Sequence, residues 1–225
     1  MKHNPFITNG LSIGFGLLFL FSLVGQAFSG LAYYNEQQVS SKLDEIGLLQ
    51  YVTSSSFVVD VAENWQSEYL QFTLLIVLAV WLVQKGSPES KEIEKRGQQS
   101  DKEQLVGQFA KPDSPKWAKA GGWRTAVFSN SLGLVMGAIF VASWLVQSVA
   151  GFSAFAESQL ANLQDPGTWT EYLGSPEFWN RTLQNWQSEF LAVWSMVILA
   201  VYLRQRGSPE SKAVGMPHDK TGASN

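Results

Sequence analysis

Apolar residues gather into four blocks, and nearly all charge lies between them. Leu11 to Leu31, LSIGFGLLFLFSLVGQAFSGL, holds no charged residue. About twenty residues at roughly 1.5 Å rise match a hydrocarbon core of roughly 30 Å. The second block, Tyr69 to Val83, reaches spanning length if Trp65 begins it, which leaves Glu68 near the headgroups. The third runs from Thr125 to Phe155 without charge, and the fourth, Phe190 to Leu203, needs Trp186 to reach membrane length. Helices of a soluble bundle carry a polar stripe, and the first and third blocks have none. The pattern predicts an all-α membrane protein with four transmembrane helices.

Basic residues orient it. Of 16 Lys+Arg, 14 fall in three segments: Lys2, the stretch from Lys85 to Arg124, and the tail from Arg204. The remaining two, Lys42 and Arg181, sit in the other two loops beside eleven carboxylates. The positive-inside rule then puts both termini in the cytoplasm and these two loops outside. Lys2 with Ala27-Phe28-Ser29 would also suit a cleaved signal peptide. An internal copy of the block argues instead for an anchor.

That copy is part of a repeat. A shift of 121 residues lays 9–91 on 130–212 without a gap, with 30 identities in 83 positions. Asn64-Trp65-Gln66-Ser67-Glu68 meets Asn185-Trp186-Gln187-Ser188-Glu189, and Gly86-Ser87-Pro88-Glu89-Ser90-Lys91 meets Gly207-Ser208-Pro209-Glu210-Ser211-Lys212. Matched loops and polar motifs exclude chance likeness between apolar helices. The expected organisation is a two-helix membrane repeat over 1–91, a charged cytoplasmic linker over 92–122, a second repeat over 123–212, and a flexible tail over 213–225. Two helices per unit give both units one orientation, related by an axis along the membrane normal. Lys116-Trp117 and Trp123-Arg124 suit an interfacial anchor.

Helix ends are marked by local chemistry. Ser175-Pro176 predicts a serine cap followed by proline at the first helical position, with the helix running to about Gln205. Ser54 to Ser56 begin the equivalent helix in the first repeat. There, Phe57, Val61, Asn64 and Glu68 mark one helical side, and Trp65 continues an apolar side through Val58 and Ala62. The segments 34–53 and 156–174 are short links with room for a helical turn each.

Composition then removes most chemistry. The chain has no cysteine and two histidines, His3 and His218, so thiolate, disulfide and paired-histidine metal chemistry are excluded. A charge of -3 lacks the basic face that nucleic acid requires. No nucleophile elbow, metalloprotease helix or phosphate loop is present, so neither an enzyme nor a cofactor is expected. Candidate residues follow from the repeated motifs. Gln26, Glu68, Gln147 and Glu189 form a candidate polar or ion site, since buried amides and carboxylates in a membrane protein can line a path. Asn64, Trp65, Asn185 and Trp186 form a candidate outer helix clasp, and the clasp is the favoured reading. Gly86, Pro88, Glu89 and Lys91, with Gly207, Pro209, Glu210 and Lys212, form a cytoplasmic motif read as a capped turn. Gly16 and Gly137, with Ser22 and Ser143, suit close helix contacts.

At these motifs, and at Asn9-Gly10-Leu11-Ser12, the chain resembles a bacterial family of four-helix integral membrane proteins carrying a domain of unknown function. The likeness covers about residues 5–212. Further matching features are Gly25-Gln26, Tyr34-Asn35-Glu36, Tyr51-Val52-Thr53-Ser54, Glu157 with Gln159, and Tyr172-Leu173-Gly174-Ser175. In the second repeat Phe155-Ala156 replaces the aromatic-asparagine pair, which weakens any symmetric role for Asn35. The resemblance implies an architecture and no activity, cofactor or substrate. The leading expectation is a non-enzymatic, multi-pass protein of the bacterial inner membrane with a structural, assembly or stress-related role. Its partners would be the lipid bilayer and a second copy or another membrane protein. The alternative is a channel or transporter using Gln26, Gln147, Glu68 and Glu189.

Overall fold

The computed structural model describes residues 8–222, and among these it is helical with no strand. Lys2 and His3, and with Lys2 the basic residue used to place the N-terminus, lie outside the described residues. So do residues 223–225 of the expected tail. The helices are α1 (Gly10–Ser40), α2 (Leu48–Val52), α3 (Ser55–Leu78), α4 (Lys116–Ala120), α5 (Gly122–Ser129), α6 (Ser131–Ala161), α7 (Trp169–Leu173) and α8 (Pro176–Tyr202). The starts of α1, α2 and α3 stand 121 residues before those of α6, α7 and α8, and the ends of α1 and α2 keep that spacing. Two helices, α1 and α6, are long and apolar enough to cross a membrane.

The third apolar block divides where its sequence predicts one helix. Asn130 ends α5: its side-chain amide donates to the Ala126 carbonyl at 2.8 Å, while its own carbonyl accepts from Leu134 N–H at 2.9 Å. A short polar side chain that bonds nearby backbone competes with helix continuation. The linker contains α4 and two single turns, Ile93–Lys95 and Gly107–Phe109.

Two compact units form, residues up to 61 with 146–167, and residues 62–145 with 168 onward. In the first, Tyr51 of α2 is buried against Gly30, where a Cβ would strike its hydroxyl. Its ring also meets Tyr34 at 5.6 Å and Phe57 at 5.4 Å. Burial first, then Asp60 and Tyr34, push the Tyr51 hydroxyl above the usual tyrosine pKa. Asn35 closes the loop after α1 by bonding both backbone groups of Ile46, donating to its carbonyl at 3.0 Å and accepting from its N–H at 2.9 Å. Asn35→Ala removes both bonds and is expected to cost about 1–3 kcal/mol. Hydrogen exchange at the Ile46 amide checks this, with protection falling in the variant.

In the second unit, α6 lies against α3 at Gly137, where a Cβ would sit 3.7 Å from the Thr73 methyl, and at Gly133 beside Val77. Gly16, the sequence counterpart of Gly137, has open space within 4 Å. Ser143 bonds within its own helix, to the Ile139 carbonyl at 2.7 Å. Tyr172 and Phe178 are buried together at 5.5 Å between ring centres. Burial is the main cause pushing the Tyr172 hydroxyl up to about 12; Arg181 opposes it, and Glu177 and Glu63 add to it.

The ends of α3 and α8 differ for a residue-level reason. Ser175 Oγ accepts from Phe178 N–H at 3.2 Å, with Pro176 in the first turn, so α8 starts where the cap signal predicts. Its last carbonyls are taken by Arg204, whose guanidinium donates to Val201 O at 3.1 Å and Leu203 O at 2.8 Å. The corresponding position in the first repeat is Val83. Without that cation the apolar run outlasts the helix: α3 stops at Leu78, bonds tighten to Val80–Val77 and Trp81–Leu78, and the Gly97 N–H takes the Val80 carbonyl at 2.6 Å. Terminal carbonyls must find donors, and the two copies find different ones.

Candidate functional site

The Asn-Trp-Gln-Ser-Glu segments lie mid-helix in α3 and α8, and their roles there are unequal. Gln66 is fully buried at 0% exposure, and its side-chain oxygen accepts from the Trp186 indole at 2.8 Å. Three residues before Gln66, Glu63 pairs with Arg181 Nε at 2.7 Å. These two contacts tie α3 to α8. The Trp186 ring also meets Trp144 at 6.0 Å, and Trp144 stacks on Phe140 and Phe178. The Gln66 amide nitrogen and the Trp144 indole nitrogen are buried without a hydrogen-bond acceptor among the described residues, the kind of omission that costs about 1–3 kcal/mol per group.

The buried stripe of α3 is thus Val59, Ala62 and Gln66, with Ser67 beside it. Of the apolar side expected through Val58, Ala62 and Trp65, Ala62 is buried, Val58 half-buried and Trp65 exposed, and Asn64 and Glu68 on the adjoining side are exposed too. Gln66 joins the buried stripe where its side-chain oxygen meets the Trp186 indole. Asn185 donates to the Arg181 carbonyl at 3.0 Å, and the paired serines act alike: Ser67 bonds Asn64 O at 2.9 Å and Ser188 bonds Asn185 O at 2.8 Å. Glu68 and the half-buried Glu189 lie close enough for their charges to interact. In the other unit Gln147 is buried on α6 and Gln26 half-buried on α1.

The two Gly-Ser-Pro-Glu-Ser-Lys segments build the same device twice. Gly86 and Gly207 take φ of 86° and 82°, a left-handed turn that glycine enters without a Cβ clash. Ser87 Oγ accepts from Glu89 N–H at 3.3 Å, and Ser208 Oγ from Glu210 N–H at 3.2 Å. The second serine reaches back: Ser90 Oγ accepts from Gln84 N–H at 2.8 Å, and Ser211 Oγ from Gln205 N–H at 2.9 Å. Each serine therefore has a structural task that a simple helix stop would not need.

The lysines complete it unequally. Lys91 Nζ donates to the Gly97 carbonyl at 3.0 Å. Lys212 is buried at 2% exposure, and the three N–H groups of its ammonium are shared among four carbonyls: Gly86 at 2.5 Å, His218 and Lys220 at 3.0 Å, and Pro217 at 3.3 Å. Burial, then the Arg204 cation, hold its pKa below the usual lysine value, with Asp219 opposing. The tail is fastened by further bonds, Gly86 N–H to Thr221 Oγ1 at 2.9 Å and Gly222 N–H to Ser87 O at 2.9 Å. His218 Nδ1 lies 3.0 Å from Val201 O. Residues 213–222, expected to be loose, thus wrap onto the first motif.

Glu89 and Glu210, equivalent positions of the two copies, lie close enough for their carboxyls to interact. Loss of solvent around the carboxyl, then the charge and hydrogen bond of Glu210, hold the Glu89 pKa above the usual carboxylate range. Between the ordinary carboxylate pKa and the raised one, the folded chain therefore holds this proton more tightly than the unfolded chain does. This stabilisation is fully present below the ordinary carboxylate pKa and is lost as pH rises through the raised one. Thermal unfolding followed from pH 4 upward should show the difference between wild type and Glu89→Gln changing across that window, with wild type losing relative stability. A difference that stays flat with pH contradicts the shared proton.

A groove of about 430 Å³ borders this pair, lined by the C-terminal halves of α3 and α8 and by Gln84, Ser87, Glu89 and Ser90. Among the described residues no cluster of three or more His, Asp or Glu is placed to hold a metal ion. Residues 2–223 match the family described as Domain of unknown function (DUF6766), and the chain belongs to that family. Comparison with curated proteins and with solved structures finds no match.

Proposed function

We propose that the chain is a non-enzymatic, four-span protein of the bacterial inner membrane, with both termini cytoplasmic and a structural, assembly or stress-related role. It is built by duplication of a two-helix unit, a reading supported by 30 identities at one offset and by helix bounds that repeat at 121 residues. The observation that carries the membrane assignment is α1. It has 31 residues, and none of its most apolar window is buried. Leu18 and Phe21 are 62% and 79% exposed in mid-helix. An apolar column of this length is stable in lipid or against another apolar helix, and a liability in water. The second and fourth spans rest on α3 and α8, whose polar N-terminal halves would stand outside the hydrocarbon.

The structural role is supported by what the polar motif residues do. Gln66, Trp186, Glu63 and Arg181 join helices, and the motif serines and lysines fasten chain ends. A channel or transporter reading draws on the proximity of Glu68 and Glu189. Cation and proton flux into sealed proteoliposomes distinguishes the two. The proposal expects no flux above empty vesicles from correctly inserted protein. Flux that falls in the E68Q/E189Q variant would replace the structural role with transport.

A further inference from the structure

The chain that leads into α6 is a folded hairpin. Helices α4 and α5 pack on each other. The turn between them takes two successive left-handed residues, Gly121 at φ 70° and Gly122 at φ 59°, a conformation that glycine enters without a Cβ clash. Thr125 Oγ1 on α5 donates to the Trp117 carbonyl of α4 at 2.7 Å, which ties the two helices together. The Trp117 and Trp123 rings meet edge to face at 5.9 Å, and the Arg124 guanidinium lies 5.7 Å from the Trp123 ring centre. Both indoles stay on the surface all the same, Trp123 at 67% exposure.

The charge of the hairpin is unmet. Lys116, Lys119 and Arg124 are exposed, and among the described residues no carboxylate pairs with any of them. Lys119 gives one of its N–H groups to the Pro112 carbonyl and keeps the others. From Gln104 to Ala156 the single carboxylate is Asp113, against four Lys+Arg. Position selects what covers this surface. Arg124 stands seven residues before Ser131, where α6, long and apolar enough to cross a membrane, begins. Most of those steps lie in α5, at roughly 1.5 Å each. With α6 in the bilayer, Arg124 is therefore held at the depth of the headgroups. An indole at that depth buries its ring and keeps its N–H wet. A guanidinium over an indole, with no carboxylate to satisfy it, is free to take a phosphate.

We infer that the α4–α5 hairpin docks on anionic lipid, with Trp117 and Trp123 among the headgroups and Lys116, Lys119 and Arg124 on the phosphates of lipids that carry net negative charge. A zwitterionic surface offers the rings the same seat and gives the three cations no net attraction. The inference rests on the membrane reading above, because α6 must lie in the bilayer to hold the hairpin there.

The test is hydrogen exchange on the full chain in two nanodiscs, one of phosphatidylcholine alone and one with half of it replaced by phosphatidylglycerol. Amides of residues 116–129 are expected to exchange about threefold or more slower with phosphatidylglycerol. K116Q/K119Q/R124Q should lose that difference. K116Q/R124Q, which leaves the Lys119 bond to Pro112 in place, stands as the deciding variant if the triple change disturbs the hairpin in phosphatidylcholine. Amides of residues 133–150 in α6 should be slow in both lipids. Hairpin exchange that is the same in the two lipids, with α6 slow, overturns this inference alone. So does a K116Q/R124Q variant that keeps the full difference. The same protection brought about in phosphatidylcholine by millimolar inorganic phosphate overturns it too, and makes the hairpin a site for soluble phosphate. Fast exchange along α6 in both lipids removes the membrane reading, and this inference with it.

Discussion

Replacing Leu18 and Phe21 together by arginine is expected to expel α1 from the membrane. Both lie near the centre of the uncharged run from Leu11 to Leu31, and both are exposed. An arginine at the middle of a spanning helix costs about 2.5–3.5 kcal/mol on insertion scales, so two cost about 5–7 kcal/mol. Snorkelling offers only partial relief at that depth, since each position is about two turns or more from either end of the uncharged run. The readout is a cysteine placed at Lys42, in the loop after α1. An impermeant maleimide added to intact cells should label it in the parent and not in the L18R/F21R variant. Gln37→Arg, close to the helix end, should leave labelling unchanged. Full labelling of the double variant would mean that α1 does not reside in hydrocarbon.

Lys212→Met carries the second large effect. Methionine approximates the aliphatic stem and removes the ammonium, leaving the carbonyls of Gly86, Pro217, His218 and Lys220 without their common donor. Hydrogen bonds to a charged group contribute about 1.5–3 kcal/mol each, with strong non-additivity within one cluster. A total of about 3–5 kcal/mol is expected, the scale of breaking a buried charged network. Much of it should appear as release of the tail, because three of the four carbonyls belong to residues 217–220. Limited proteolysis with a Met-tolerant protease should cut between 213 and 222 in the variant and spare the parent. Lys91→Met is the internal comparison: it loses one bond, to Gly97, and should cost about 1 kcal/mol. Equal effects at the two lysines would contradict the carbonyl cage.

The start of α8 was legible because its signal is local: Ser175 and Pro176 announce it within two residues, whereas the start of α6 after Asn130 lay hidden inside one apolar block. The end of α3 was not legible, since it depends on Val83 standing where the other copy has Arg204, and on Gly97 arriving to take a carbonyl. Of the apolar side of α3 legible in the sequence, Ala62 is buried and Trp65 is exposed. Periodicity fixes a spacing, and only the partner, here the Trp186 indole, selects which of two polar-apolar stripes is buried. Asn35 bonding Ile46 has no pattern in sequence, because an asparagine inside the last turns of a helix does not announce which later backbone group it will reach. The Glu89–Glu210 meeting was hidden for another reason. Repetition marked both residues, but composition does not tell that copies of one motif face each other across 121 residues of chain.

The central claim is a four-span chain with its linker and tail on the cytoplasmic side. The chain has no cysteine, so single cysteines at Lys42, Ser100, Asp165 and Val214 can be labelled against no background. An impermeant maleimide applied to intact spheroplasts should label Lys42→Cys and Asp165→Cys, with Ser100→Cys and Val214→Cys labelled only after permeabilisation. Labelling of all four without permeabilisation, or of Ser100→Cys on the same side as Lys42→Cys, would contradict the account.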